Sequence, residues 1–152
     1  MNVRSARRLA CLLFLAVFAG CNNQPLPTPQ DTVRDLLELH GLWGRAPQER
    51  SLAEREKAVE KERLFPLFTD LAQEDPFLAH LYLGFVVGAL ARHQQHLVYT
   101  AEGSTVEVRA GDVRISMHRG ENRFRIALSE SIPQIVRQRA EAEKERLVAT
   151  PR

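Results

Sequence analysis

Apolar positions along the chain change their period more than once, and each change marks an element. An unbroken apolar run from Leu9 to Ala19 comes first. Val33, Leu36, Leu37, His40 and Trp43 then recur at helical spacing behind Asp31, whose side chain can cap a helix; Gly41 and Gly44 end it. A second helix is expected from Ser51, where Ser51-Leu52-Ala53-Glu54 has the form of a capping box. Its face carries Glu54, Lys57, Glu60 and Arg63, alternating in sign, which suits solvent. Pro66 interrupts the chain before Asp75-Pro76, an N-cap followed by proline at the first helical position. The segment Phe77 to Ala91 is nearly all apolar. Fifteen helical residues rise only about 22 Å, less than the roughly 30 Å of a bilayer core, so this reads as a buried central helix. Gly84 and Gly88 give it a surface that a neighbour can approach closely.

After Arg92 the period falls to two. Leu97, Tyr99 and Ala101 alternate with polar or small positions up to a turn at Glu102-Gly103. Val106, Val108 and Ala110 share one face, and Thr105, Glu107 and Arg109 the other. Gly111-Asp112 has the glycine-first form of a type II′ hairpin loop, leading into Val113, Ile115 and Met117. Gly120-Glu121 repeats that form before Phe124, Ile126 and Leu128. With those loops, Ala110 faces Val113, Val108 faces Ile115 and Val106 faces Met117. Met117 would then face Phe124, Ile115 face Ile126, and Val113 face Leu128. Every row is apolar on one side and polar on the other, so pattern and turn chemistry agree.

Ser131-Ile132-Pro133-Gln134 has the form of another capping box, opening a last helix to about Leu147 whose stripe is apolar only at its start. The expected class is α+β: N-terminal helices packed on a four-stranded antiparallel meander, followed by a C-terminal helix. That order of helices and curved sheet is similar to the nuclear-transport-factor-2-like cone, which implies a small-ligand pocket between the 77–91 helix and the sheet as an alternative function.

Composition changes this picture only at the N-terminus. The 152 residues carry 44% hydrophobic and 26% charged side chains, ordinary values for one globular domain. The net charge is +2 and the pI near 8.8. Arg4, Arg7 and Arg8 precede the eleven-residue apolar run, the arrangement of a secretory signal and too short to span a bilayer. The run ends Phe18-Ala19-Gly20-Cys21. This resembles the lipobox of bacterial lipoprotein precursors, with Phe18 where an aliphatic residue is usual. The resemblance implies cleavage after Gly20 and diacylglycerol, with its palmitate-type chains, on the Cys21 sulfur. It further implies that Asn22, not being aspartate, favours the outer membrane in a diderm source.

The expected organisation is therefore a signal peptide over 1–20, a lipidated cysteine and Pro-rich tether over 21–30, and a single α+β domain over 31–152. Pro25, Pro27 and Pro29 make Asn22 to Gln30 an extended spacer of roughly 25–30 Å. Cleavage removes Cys11 and occupies Cys21, leaving no thiol for a disulfide or a metal. It also removes three arginines and no acid. Basic side chains fall from 21 to 18 against 19 acidic ones, about −1 for the mature protein.

Candidate chemistry gathers on the open face of the meander. Its expected rows are Thr105/His118/Arg123, Glu107/Ser116/Arg125 and Arg109/Arg114/Ala127. Arg109, Arg114, His118, Arg123 and Arg125 around one acid would attract a phosphate, a carboxylate or the headgroup region of an anionic membrane. No aromatic residues are interleaved as nucleic-acid binding would want. His93 and His96, three apart at a helix end, have no further ligand at recognisable spacing, and no metal or cofactor is expected. GxSxG, HExxH, CxxC, Walker and dinucleotide fingerprints do not occur, and no catalytic residue is assigned. The expectation is a lipid-anchored, non-enzymatic binding or scaffold module for another envelope protein, attached to the membrane by its lipid.

Overall fold

The computed structural model describes residues 25–45 and 61–149. The signal segment, Cys21 and the charged face at Glu54, Lys57 and Glu60 lie outside the described residues.

The chain enters as an extended segment and turns into helix α1, Pro29–Leu39. Thr28, not Asp31, is the N-cap. Its side chain accepts from the Asp31 backbone N–H, while the Asp31 carboxylate takes the Thr28 backbone N–H at 2.7 Å. Pro29 sits at the first helical position, where its fixed φ and missing N–H cost nothing. The proline-rich spacer is therefore two residues shorter than its composition implies. At the other end α1 stops at Leu39 with His40 as C-cap, so Trp43 is not on the helix face and stands 46% exposed. The loop after it is tied down by Gln94, whose amide receives Gly44 N–H at 2.7 Å and donates to the Leu42 and Arg45 carbonyls.

A short helical turn α2, Lys61–Leu64, runs into a 3-10 turn at Phe65–Leu67 that contains Pro66. Helix α3, Pro76–His93, begins as the pattern predicts. Asp75 accepts from the Phe77 and Leu78 backbone N–H groups, and Lys144 Nζ meets it at 2.8 Å. Those bonds, led by the one from Lys144, hold the Asp75 carboxyl below the usual carboxylate range.

The four strands, β1 (Val98–Glu102), β2 (Thr105–Ala110), β3 (Val113–Arg119) and β4 (Phe124–Ile126), form an antiparallel meander in sequence order. Val106 faces Met117, Val108 faces Ile115 and Ala110 faces Val113, as the alternation predicts. Gly103 and Gly111 have φ of 61° and 62°, and among the described residues no non-glycine residue has positive φ, which is the type II′ combination. The first loop is Gly103-Ser104, one residue later than the sequence pattern places it.

The last register differs. Met117 faces Ile126 and Arg119 faces Phe124, so the β3–β4 loop spans Gly120 to Arg123. Gly120 is not in the left-handed region, so it does not open a type II′ turn; its N–H instead bonds the Arg123 carbonyl at 2.9 Å. The shift of two residues preserves which side chains face inward, which is why alternation alone did not reveal it.

Helices α1 and α3 cover the apolar face of the sheet. Leu36, Leu37, Val86, Val87, Leu90, Val108, Ile115, Met117 and Ile126 are all fully buried in one cluster, each contributing on the order of 2 kcal/mol. These side chains fill the space between α3 and the sheet, where Val106 is also buried and Phe77 and Phe85 are half-buried. Thr32 donates to the Phe124 carbonyl at 2.7 Å, pinning α1 to β4.

Helix α4, Gln134–Ala149, follows a 3-10 turn at Ser129–Ser131. The Ser131 hydroxyl does not cap α4; it donates to the Ala127 carbonyl at 2.6 Å and accepts from Ser116 N–H at 3.0 Å. Only Ala140 of α4 is buried, and Ile135 and Leu147 stay more than half exposed. Among the described residues no helix is long and apolar enough to cross a membrane.

Candidate functional site

The hairpins dictate what the solvent face of the sheet displays. Strand β2 presents Thr105, Glu107 and Arg109 outward, and β3 presents Arg114, Ser116 and His118. Arg109 lies directly across from Arg114, Glu107 from Ser116, and Thr105 from His118. The row of His118 continues to Arg125, because of the longer β3–β4 loop.

A second element completes the face. Asp70 accepts from the backbone N–H groups of Leu128 and Ser129, both at 2.8 Å, and from the Ser129 hydroxyl. Partial burial pushes the Asp70 carboxyl up, but these bonds outweigh it and leave it below the ordinary range. Asp70 thereby caps the Ser129–Ser131 turn, and Ser131 ties the same turn to β3. Glu130 is held between these two anchors and leans over the sheet. One of its oxygens accepts from the Ser116 hydroxyl at 3.0 Å and lies 2.9 Å from His118 Nε2. These contacts, His118 first, hold the Glu130 carboxyl below its usual range.

Thr100, Glu102, Thr105, Glu107, Arg109, Arg114, Ser116 and Glu130 line an open concavity of about 550 Å³. Its charges are segregated along the strands, with Arg109 and Arg114 at the Gly111 end and the glutamates toward the other. Arg109 reaches Glu107 at 3.4 Å, a half-exposed pair worth little energetically. Arg114 makes no ion pair with any described residue. Two guanidinium groups on facing positions, with one loose carboxylate beside Arg109 alone, leave room for a further anionic group.

The five expected site residues therefore divide. Arg109, Arg114 and His118 share this face. Arg123 sits in the β3–β4 loop, not in a sheet row, and pairs with Asp35 of α1. Arg125 is in the His118 row, but its guanidinium turns to the Phe65 carbonyl at 3.4 Å. Glu130 escaped the sequence reading because it lies in a turn with no periodicity, fourteen residues from Ser116. The nearest signal is Asp70, whose capping role only the folded chain discloses.

Ser116, His118 and Glu130 do not form a nucleophilic relay. Such a relay runs serine to imidazole to carboxylate, whereas here hydroxyl and imidazole both address the same carboxylate oxygen. A carboxylate with a lowered pKa is also a poor base. Among the described residues no three His, Cys, Asp or Glu side chains converge as a metal site would need. His93 packs its ring on Gly111 instead, and His40 is buried with Nδ1 2.8 Å from the Leu36 carbonyl, its pKa lowered by burial.

No family model, curated protein or solved structure matches the chain. What the face can do follows from its own chemistry: hold an anionic group at Arg109 and Arg114, with hydrogen-bonding partners alongside.

Proposed function

We propose that this chain is an envelope lipoprotein whose domain is a non-enzymatic binding module, held to the membrane by lipid on Cys21 and contacting another envelope component through the Arg109–Arg114 end of its open face. The observation that carries the anchoring is the N-terminal order itself: three arginines, eleven apolar residues, then Ala19-Gly20-Cys21. In a diderm source Asn22 directs it to the outer membrane.

The tether geometry supports a partner above the bilayer rather than a lipid headgroup. Seven residue steps lead from Cys21 to the Thr28 cap, about 22 Å in polyproline II form. Pro25 and Pro27 line a surface concavity with Asn122 and Arg123, so the tether leaves the domain beside the β3–β4 loop. That end faces the membrane. Arg114 lies five residues back along β3 from Arg119, about 17 Å along the strand from that loop.

Replacing Cys21 with serine tests the anchoring: the protein should leave the membrane fraction, and unchanged attachment overturns the reading. A photoreactive side chain at position 114 tests the surface: it should capture an envelope component in cells, with capture lost when Arg109 is replaced by glutamate. Capture of lipid alone contradicts it.

A further inference from the structure

The two edges of the sheet are built differently. Strand β4 is covered: Phe68 forms a parallel bridge with Ile126, and Thr69 N–H donates to the Ile126 carbonyl at 2.9 Å. Strand β1 is bare. A two-residue hairpin closes on a pair that exchanges both its hydrogen bonds, so Glu102, Thr100 and Val98 turn their backbone groups toward β2. Leu97, Tyr99 and Ala101 then turn theirs outward, and among the described residues none of these groups has a partner. Edges are ordinarily protected by proline, lysine or a bulge. Strand β1 has none of these, and Val98 is 57% exposed.

We propose that β1 pairs antiparallel with β1 of a second copy about a two-fold axis at Thr100, joining two four-stranded sheets into one of eight strands. This register places Tyr99 opposite Ala101 of the second copy on the apolar side. The half-buried ring thus covers the small, exposed residue, and the second ring does the same in return. On the open side Thr100 meets Thr100, a favourable cross-strand pair.

Charge selects the same register. Val98 faces Arg109, which faces Arg114, so these three form one row. Pairing about Thr100 puts Glu102 of the second copy opposite Val98, at the end of that row. Its Cα lies two strand spacings, about 10 Å, from that of Arg109, within combined reach of the two side chains across valine. The carboxylate answers the facing arginines, of which Arg114 has no ion pair among the described residues. Sliding the register by two residues moves Glu102 opposite His96 or Thr100 and loses this match. Since Thr100 and Glu102 line the open-face concavity, the pairing also makes one continuous groove from two.

The test uses the full chain in the membranes of cells that express it. Thr100→Cys should give a disulfide-linked dimer on mild oxidation, because directly opposed side chains in such a pair stand close enough to bridge. The parent chain, and Arg114→Cys two strands inside the edge, should not. Ala101→Pro removes only an outward N–H, so it should keep the melting transition and reduce crosslinking of Thr100→Cys at least tenfold. Glu102→Arg should reduce it as well, with recovery when Arg109→Glu is added. Absence of a Thr100→Cys dimer, equal crosslinking through Arg114→Cys, or a product with the mass of a different protein overturns the proposal. If Ala101→Pro lowers the melting transition, the charge exchange decides: crosslinking unmoved by Glu102→Arg overturns the register.

Discussion

Removing the Asp70 carboxylate should unfold the domain far more readily than its position in an irregular loop suggests. Asp70 accepts two backbone N–H groups at 2.8 Å and the Ser129 hydroxyl, with a weaker bond from Thr69 at 3.3 Å. Leu128, one of the two backbone donors, is fully buried, so in Asp70→Ala its N–H loses its acceptor away from water. Hydrogen bonds to a charged group contribute about 1.5–3 kcal/mol, and an unsatisfied buried donor costs about 1–3 kcal/mol; these overlap, so the expected loss is about 3 kcal/mol. At roughly 3 °C per kcal/mol for a domain of this size, the melting temperature should fall by about 10 °C. Asp70→Asn should lose roughly half as much, because its amide keeps one acceptor oxygen.

The pH dependence has a fixed sign. The folded carboxyl has a lowered pKa, so its stabilisation is present above the unfolded value of about 3.9 and disappears as pH falls through the folded value. Circular-dichroism melts of parent and variant in mild detergent at pH 7 and pH 3 measure both effects. The difference between them should shrink at pH 3. A loss under about 0.5 kcal/mol at pH 7, or an equal loss at both pH values, refutes the reasoning.

Three further outcomes follow from the geometry. Gly111→Ala combines positive φ with a Cβ 2.7 Å from His93 Nε2, and should destabilise by about 1–3 kcal/mol in denaturant melts; adding His93→Ala should recover the steric share only. Thr28→Ala removes the α1 capping box and should cost about 1 kcal/mol, read by the same melts. The Glu130 carboxyl should titrate below an ordinary glutamate by NMR, and His118→Ala or Ser116→Ala should each move its midpoint upward; a midpoint indifferent to both removes the cluster.

Much of this fold is legible in the sequence because local chemistry and burial point the same way. Asp75-Pro76 starts α3 where expected, and the alternation through Val106, Val108, Ile115 and Met117 sets the β2–β3 pairing. Two of the failures, at Ser131 and Asp31, share one physical origin: side chains able to serve two partners. Ser131 resembles a helix cap but is used by Ser116 and Ala127. Asp31 resembles an N-cap and instead completes the box of Thr28. The Gly120 register slipped by an even number, which burial cannot detect. The open face was half legible: Arg109, Arg114 and His118 follow from alternation, whereas Glu130 arrives through Asp70, fifty-eight residues before Leu128.

The proposed anchoring places this domain on a lipid-modified cysteine. Mass spectrometry of the N-terminal peptide from protein extracted from cells tests it most directly. The mature chain should begin at Cys21 with diacylglycerol on its sulfur, and Asn22 next. A chain beginning elsewhere, or a Cys21 recovered as a free thiol, contradicts it.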